Sequence, residues 1–348
     1  MTLLLNYRPV LRQPTGIGVY ANAVLPALQH LPHVLIPGGG EGNAAERLRR
    51  LAWTQLQLAH VALRHQTSLI FTPAPEGYLG RQVIPQVVMV HDLRSITHPE
   101  RTLQSLYFRS WVPPLLRRCQ HLLTNSQFTA AEIQRCAAIP DHRISVVPLG
   151  YDRAMFHPAA EFVVAGSQRP YLLHVGQAYP HKNLRRLIQA FLPLAVTEPD
   201  LCLLLVGKQH PTESPLLRRM VAELGLSGQV MFRPYVPASA LPDLYRGALA
   251  FVYPSLWEGF GLPVLEAMAC GTPVLTSLGS GTEEVAGGAA LLVSPVVTEE
   301  LTTGMRQLIQ QPSLRDHLRA AGLQRADQFS WDRAAADTRD VLQQVAMR

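Results

Sequence analysis

The sequence predicts an α/β fold with two doubly wound, Rossmann-like domains, and three observations support this prediction. Short apolar runs without polar alternation are typical of parallel strands that are covered on both faces. Longer helical patterns separate these runs from end to end, as a doubly wound sheet requires. The series occurs twice within 348 residues, a length that suits two domains of ordinary size.

The predicted strands form two sets, one in each half of the chain. The first set is LLLN (3–6), VLIP (34–37), LIF (69–71), VVMV (87–90), LLTN (122–125) and ISVV (144–147). The second set is YLLHV (171–175), LCLLLV (201–206), VMF (230–232), LAFVY (249–253), PVLT (273–276) and ALLV (290–293). Helices are expected near 20–31, 44–64, 103–118 and 129–137, and only helical patterns follow residue 298.

The same patterns predict where one domain ends and the next begins. The stretch from 156 to 170 has no clear period and ends in polar and turn residues, so we place the hinge there. The predicted domains are 1–160 and 161–330, and a final helix over 331–348 is a candidate to cross back to the first domain. Ligands of such sheets bind beyond the carboxyl ends of the strands, so a cleft between two sheets would hold both ends of a long substrate.

The composition indicates a well-packed globular protein, with 47% hydrophobic and 16% charged residues. No apolar run approaches the roughly eighteen residues that a bilayer span needs, and MTLLLNYRPVLRQ lacks the length and cleavage site of a signal peptide. The four cysteines form no C-x-x-C pair and no Cys/His metal cluster. This pattern favours reduced thiols and a cytoplasmic location.

The net positive charge lies entirely in the first half. Residues 1–163 carry 15 Lys and Arg against 9 Asp and Glu, a difference of +6, whereas residues 164–348 carry 16 against 16. Such asymmetry indicates an anionic partner, either a membrane surface or a lipid phosphate, while nucleic acid is disfavoured because no binding signature for it occurs. The segment RTLQSLYFRSWVPPLLRR (101–118) predicts either a helix at a membrane interface or one packed on the sheet with its arginines outward.

The stretch WEGFGLPVLEAMACGTPVLTS (257–277) places two carboxylates around a loop and a helix start. Pro263 suits the first helical position and Gly271 the residue after the helix end, so Glu258 should lie in the loop and Glu266 in the first turn. N–H groups of residues 260–264 would then face outward and favour a phosphate. A phosphate between two carboxylates that bind hydroxyl groups matches a nucleotide sugar. The plain alternative is an exposed loop followed by an ordinary amphipathic helix.

Several further motifs extend this pattern. HVGQAYPHKNLRRLIQAF, LLLVG, YPSLWEGFGLPVLEAMACGTPVL and EEVAGGAALLV follow in order in the second half, and they resemble the donor-binding half of retaining glycosyltransferase family 4. The first half resembles the same family through TGIGVYANAVLPAL, VHDLRSITHPE, LLTNSQFTAAEI and ISVVPLGYD. The resemblance covers nearly the whole chain and implies the GT-B fold, with an acceptor-side first domain and a donor-binding second domain.

The resemblance also implies an activity. Members move a hexose from a nucleoside-diphosphate sugar to a hydroxyl acceptor with retention of configuration. For this chain a GDP- or UDP-linked, mannose-like donor is favoured, together with an acceptor in polysaccharide or glycolipid assembly that is a candidate for a lipid link. The alternatives from other classes are a GT-B sugar epimerase or hydrolase that uses the paired carboxylates, and a non-catalytic protein that binds nucleotide sugars or glycans.

The resemblance assigns the donor-side residues. Glu266 would accept hydrogen bonds from both ribose hydroxyls, and Glu258 would hold a hydroxyl of the donor sugar. Lys182, after the Gly176 turn, would bind the diphosphate and stabilise the charge on the leaving group. Backbone N–H groups near the sugar and diphosphate would come from Gly259, Phe260, Gly261 and Leu262, and the base would be read by the backbone at Tyr235 and Val236.

In the first half, Gly16, Ile17 and Gly18 resemble the family's N-terminal glycine loop, which closes over the donor phosphates. The alternative is the dinucleotide fingerprint G-x-G-x-x-G/A, but eight or nine loop residues precede it, longer than the tight turn of such a site. His91, directly after a strand, would contact the donor sugar or position the acceptor, or else anchor its loop through Asp92. Two further residues, Asn125 and Ser126, are expected to line the same cleft.

The chain departs from the family where a second cation for the phosphates is expected. Many relatives carry an arginine either just after the strand glycine or just before the lysine, and this chain has Gln177 and His181 at these positions. Protonated His181 and Arg12 are the candidates to replace it. No Asp-x-Asp occurs, and Glu198-Pro199-Asp200 is predicted to be a turn, so we expect neither a metal nor another cofactor. No obvious nucleophilic carboxylate is present, which favours front-side displacement assisted by the leaving diphosphate.

Overall fold

The computed structural model describes residues 1–12, 16–41, 43–97, 103–158 and 169–347, with only the backbone of residues 103 and 104. The chain divides into two compact units. The first is Met1–Gly150 with Ser330–Arg348, and the second is Tyr151–Phe329.

The first unit is built on a six-stranded parallel sheet of order β2-β1-β3-β4-β5-β6. Its strands are β1 (Leu3–Asn6), β2 (His33–Ile36), β3 (Leu69–Thr72), β4 (Gln86–Val90), β5 (His121–Thr124) and β6 (Ile144–Val146). Its helices are α1 (Gly16–Gln29), α2 (Ala44–Leu56), α3 (Leu58–Arg64), α4 (Arg94–Thr97), α5 (Leu103–Arg118) and α6 (Gln127–Ala137). The central strands are buried throughout, which explains why their sequences lack polar alternation.

The second unit repeats the architecture with the strand order β12-β11-β10-β7-β8-β9, again all parallel. Its strands are β7 (Tyr171–Val175), β8 (Cys202–Val206), β9 (Val230–Arg233), β10 (Ala250–Tyr253), β11 (Val274–Ser277) and β12 (Leu291–Val293). Its helices are α7 (Leu184–Thr197), α8 (Glu213–Glu223), α9 (Leu241–Arg246), α10 (Leu262–Ala269), α11 (Gly281–Ala286), α12 (Thr298–Gln310) and α13 (Pro312–Ala326). A large apolar core joins one face of this sheet to α7, α8 and α12.

The last helix, α14 (Trp331–Ala346), belongs to the first unit, where it packs on α1. The hydroxyl oxygens of Tyr20 and Thr338 lie 2.9 Å apart and join the two helices. Gly150 permits the close approach of the returning chain, since a Cβ at this position would lie 2.2 Å from the backbone nitrogen of Trp331.

The division of the chain differs from the predicted boundaries at 160/161 and 330/331. Residues after Gly150 already belong to the second unit, because Arg246 Nε donates to the carbonyl of His157 (2.9 Å) and Arg153 Nη2 donates to the carbonyl of Phe329 (3.2 Å). Most of the predicted hinge, residues 159–168, lies outside the described residues. No helix in the described parts of the chain combines the length and apolar character that a membrane span needs.

Candidate active site

The carboxyl end of β7 leads into the turn that carries Lys182. Residues Pro180–Lys182 form one turn of 3-10 helix, and Asn183, at a φ of +61°, ends this turn just before α7. The Asn183 amide donates to the carbonyls of Pro254 (3.0 Å) and Pro295 (2.7 Å). The turn is therefore fixed to the loop that follows β10, where Glu258 lies.

Lys182 and Glu258 form an ion pair with 2.6 Å between Nζ and Oε1, and their side chains are only 12% and 15% exposed. The ammonium also donates to the Tyr253 hydroxyl at 2.5 Å. Burial alone would lower the pKa of Lys182, but Glu258 and Tyr253 together outweigh burial and raise that pKa. Burial alone would raise the pKa of Glu258, but Lys182, with smaller contributions from His181 and Ser255, reverses this effect and lowers that pKa. Both groups are therefore charged at neutral pH.

Tyr253, the last residue of β10, is held between two other rings. It stacks on His174 with ring centroids 5.3 Å apart and on Phe251 at 5.5 Å. Burial lowers the pKa of His174 to about 4, so this histidine is neutral. Its Nδ1 lies 3.0 Å from the carbonyl oxygen of Val252 and carries the proton of that hydrogen bond. Burial also raises the pKa of Tyr253, which keeps its hydroxyl protonated.

Glu266 lies in α10, half-buried, and its Oε2 accepts a hydrogen bond from the Tyr245 hydroxyl at 3.0 Å. Burial raises the pKa of Glu266 to about 7, although the bond from Tyr245 acts in the opposite direction. The prediction that Glu266 lies in the first helical turn is wrong. Gly261, at a φ of +105°, ends the loop, so the helix begins at Leu262 and Glu266 is its fifth residue.

The loop 258–261 packs against the start of α11. A Cβ on Gly281 would lie 2.2 Å from the carbonyl oxygen of Gly259, and one on Gly261 would lie 2.6 Å from the methyl group of Thr282. The predicted set of outward N–H groups at 260–264 is too large, because the Val264 N–H donates to the Gly261 carbonyl at 2.9 Å and Pro263 has no N–H. This correction leaves the N–H groups assigned to residues 259–262 as predictions.

The remaining residues that were predicted to bind the donor follow β7 and β9. The N–H of Gly176 donates to Val206 at 2.9 Å, and the backbone of Gly207 packs so closely that a Cβ there would lie 2.0 Å from the Gly176 oxygen. Tyr235 is 73% exposed. Its neighbour Val236 lines a cavity of about 810 Å³ beside β9 and α9.

Two family models match this chain. The model for glycosyl transferases group 1 matches residues 160–325, and the model for glycosyltransferase family 4 matches residues 15–154. The O-antigen chain mannosyltransferase B of Escherichia coli is 33% identical over 298 residues, which are 83% of this chain and 76% of that protein. The chain belongs to glycosyltransferase family 4.

A second relative agrees with this membership, and two solved structures share the fold. The MMP alpha-(1->4)-mannosyltransferase of Mycolicibacterium hassiacum is 32% identical over 292 residues, 78% of this chain and 68% of that protein. Sucrose-phosphate synthase from Thermosynechococcus elongatus superposes with a TM-score of 0.79 at 20% identity, over 99% of both chains. HepE from Anabaena, solved with UDP and glucose, gives 0.76 at 19% identity, over 99% of this chain and all of its own. The predicted GT-B fold is confirmed.

In the first unit of this family 4 glycosyltransferase, His91 follows β4. Its Nε2 lies 3.1 Å from the carbonyl oxygen of Pro73, and its ring meets the edge of Tyr20 at 5.2 Å between centroids. Burial lowers the pKa of His91 to about 4. The histidine is thus neutral and anchored to the loop after β3, and its role toward donor or acceptor stays a prediction.

The predicted glycine loop begins the first helix of this unit. Gly16, Ile17 and Gly18 form the first turn of α1 rather than a loop before it. Of the two residues expected to line the cleft, Asn125 donates to the His91 carbonyl at 3.0 Å. The other, Ser126, is the N-cap of α6 and accepts a hydrogen bond from the N–H of Thr129.

The second phosphate-binding cation of this glycosyltransferase stays a prediction. His181 stacks on Tyr179 with 5.6 Å between centroids, and a charge on its ring would lower the pKa of Glu258. The nearest arginines along the chain have other partners, since Arg185 pairs with Glu213 at 2.6 Å and Arg186 donates to the Pro295 carbonyl at 3.0 Å. Within the described ranges no group of three or more His, Cys, Asp or Glu could hold a metal ion, and metal-free transfer stays a prediction.

Sequence reasoning missed the two tyrosines that hold the charged residues. Tyr253 is a polar side chain at the carboxyl end of a strand, which is the same signal that selected His91 and would have selected it too. Tyr245 lies in the short helix α9, 21 positions before Glu266. Nothing in the local sequence indicates that their side chains meet.

Proposed function

We propose that this glycosyltransferase moves a mannose-like hexose from a GDP- or UDP-linked donor to a hydroxyl group of a growing glycan or glycolipid, with retention of configuration and without a metal. The observation that carries the proposal is the buried pair of Lys182 and Glu258. A diphosphate sugar needs a cation for its phosphates and an acceptor oxygen for its sugar hydroxyls, and this pair supplies both at one place.

Each donor-side residue has a role in this proposal. The Lys182 ammonium stabilises the negative charge that grows on the leaving diphosphate, Glu258 accepts a hydrogen bond from a sugar hydroxyl, and Glu266 accepts from the ribose diol. The bond between the anomeric carbon and the phosphate oxygen breaks while the acceptor oxygen bonds to the same face. The acceptor proton passes to the departing phosphate oxygen, so the step needs no nucleophile from the protein.

The choice of sugar rests on the relatives. The proteins from E. coli and M. hassiacum carry mannosyltransferase names, and HepE was solved with UDP. The names of these relatives favour mannose as the sugar. GDP and UDP remain the two nucleoside diphosphates to compare. O-antigen in a relative's name supports a glycan acceptor for this chain.

The test begins with binding. Thermal unfolding is measured with GDP, UDP, ADP, dTDP and NAD, each with and without EDTA, because a ligand that binds the folded protein raises the unfolding temperature. We expect one nucleoside diphosphate to stabilise the protein, with no effect of EDTA. Stabilisation by NAD alone would contradict the proposal and favour the dinucleotide fingerprint at Gly16–Ala21.

Transfer is then tested with the matching nucleotide sugars and a panel of hydroxyl acceptors. We expect a product with a new glycosidic bond, and its anomeric coupling constant in NMR should match that of the donor. Free sugar or an epimerised donor without a new bond would favour the hydrolase or epimerase alternative. Glu266→Ala should weaken donor binding strongly, whereas Glu223→Ala, an exposed position on α8, serves as the matched control.

A lipid-linked acceptor at the inner face of a membrane is supported by α5. This helix exposes Leu106 (61%) and Trp111 (44%), with the exposed Arg109 between them. Apolar and cationic groups on one helix favour an anionic lipid surface. More of the wild type than of a Leu106→Ser/Trp111→Ser variant should sediment with vesicles that contain anionic lipid. The wild type should also sediment less with neutral vesicles than with anionic ones. Leu216→Ser, an exposed leucine on α8, is the control, and equal sedimentation of all variants would oppose membrane contact.

A further inference from the structure

Lys182 has two hydrogen-bond partners of different character. One is the Glu258 carboxylate at 2.6 Å, and the other is the neutral Tyr253 hydroxyl at 2.5 Å. An ammonium has three protons, so these two hydrogen bonds together leave one proton for a ligand oxygen. Of these two partners, only Glu258 carries a negative charge that compensates the buried ammonium.

The two partners differ in how firmly the fold holds them. Tyr253 ends a buried strand, is 1% exposed and stacks on the rings of His174 and Phe251. Glu258 lies on the loop between β10 and α10 and reaches Lys182 with a longer, more flexible side chain. The tyrosine hydroxyl is therefore a fixed point, whereas the carboxylate can turn away without disturbing the sheet.

We infer that Tyr253 is a positioning residue that holds the Lys182 ammonium while its anionic partner changes from the Glu258 carboxylate to the donor diphosphate. This inference rests on the proposed function. In the free protein Glu258 takes the place of the phosphate, because a buried ammonium without a counter-ion is costly. When the diphosphate arrives, the carboxylate is released and becomes available to the sugar hydroxyl.

The exchange predicts opposite effects for two conservative variants on the binding of a nucleoside diphosphate that carries no sugar. Glu258→Gln removes the competing carboxylate, so the affinity for GDP or UDP should rise about tenfold while kcat falls. Tyr253→Phe removes the fixed hydroxyl and lets the ammonium shift, so the affinity should fall about tenfold, the typical scale of a hydrogen bond to a charged group.

The two effects should also be coupled. In the double variant the gain from Glu258→Gln should be smaller than in the wild-type background, because the freed ammonium is no longer held toward the diphosphate. The matched control is Tyr78→Phe in the first unit, where a buried tyrosine likewise loses a hydrogen bond, to the Ile84 carbonyl at 3.2 Å. Its nucleoside diphosphate affinity should stay within about twofold of the wild type.

Calorimetric titration of GDP and UDP into the full chain separates the outcomes. If the wild type binds neither, the proposed function fails. If the wild type binds one of them and Tyr253→Phe binds it equally well, the positioning role is overturned. If Glu258→Gln binds it no more tightly than the wild type, the exchange of partners is overturned, whatever the behaviour of the tyrosine variant.

Discussion

Lowering the pH from 8 to 6 is expected to weaken the binding of the nucleotide-sugar donor, because Glu266 takes up a proton in this range. Burial raises the pKa of this carboxyl to about 7 in the free protein. Below that pH the group is mostly neutral and offers one acceptor fewer to the ribose diol. In the proposed function the charged form of Glu266 is the one that binds the ribose diol, so acid opposes binding.

The size of the effect follows from the fraction of charged Glu266. With a pKa of about 7, that fraction is about nine-tenths at pH 8 and about one-tenth at pH 6, which predicts an affinity about tenfold lower, or about 1.4 kcal/mol. The neutral His91 and His174, each with a pKa of about 4, do not change charge between these limits.

The assay is calorimetric titration of the intact nucleotide sugar at pH 6, 7 and 8 and constant ionic strength. The intact donor is the right ligand, because a free nucleoside diphosphate has a terminal phosphate that takes up a proton near pH 6. Glu266→Gln should bind weakly and with little dependence on pH, and Glu223→Gln should follow the wild type. A flat wild-type curve, or an equally steep curve for Glu266→Gln, would refute the reasoning.

Three further predictions concern stability and the loop 258–261. Lys182→Met leaves the Glu258 carboxylate buried without its cation and should lower the free energy of unfolding in urea by about 3–5 kcal/mol at pH 8; an unchanged midpoint would show that the pair is not buried in solution. The raised pKa of Glu266 gives stability that is present below the unfolded pKa and is lost as the pH rises to about 7. Glu266→Gln should therefore raise the free energy of unfolding at pH 8 by about 1–2 kcal/mol, a value reduced by solvent screening because the carboxyl is only half-buried. The substitution should have no such effect at pH 4. Gly281→Ala places a Cβ 2.2 Å from a loop carbonyl and should weaken donor binding by about tenfold or more. Gly228→Ala, whose new Cβ would have no atom within 4 Å, should bind the donor as the wild type does.

The strands were predictable because a strand that is buried on both faces has a short, uninterrupted run of apolar residues in its sequence. Each apolar run of the two predicted sets coincides with a strand to within a few residues, and the pairing is parallel throughout, as the lack of alternation indicated. The boundary between the units was less predictable. Residues 151–157 are irregular in sequence, and their membership of the second unit depends on contacts with Arg246 and Phe329, which lie far along the chain.

The candidate site shows the same limit. Local signals gave a loop carboxylate at Glu258 and a lysine after a strand at Lys182, but they did not show that the two neutralise each other across 76 positions of sequence. Likewise, Pro263 indicated a helix start correctly to within one residue. The true start depends on Gly261, whose left-handed backbone places it against the methyl group of Thr282.

The return of α14 has a consequence for how this protein is made. The second unit is continuous in sequence. The first unit lacks α14, which packs on α1 through Tyr20 and Thr338, until the residues after 329 are synthesised. During translation the unit that begins first is therefore completed only after the whole second unit has been synthesised. A fragment ending at Gly150 would leave the apolar side of α1 uncovered, so the second unit is the better choice for separate expression.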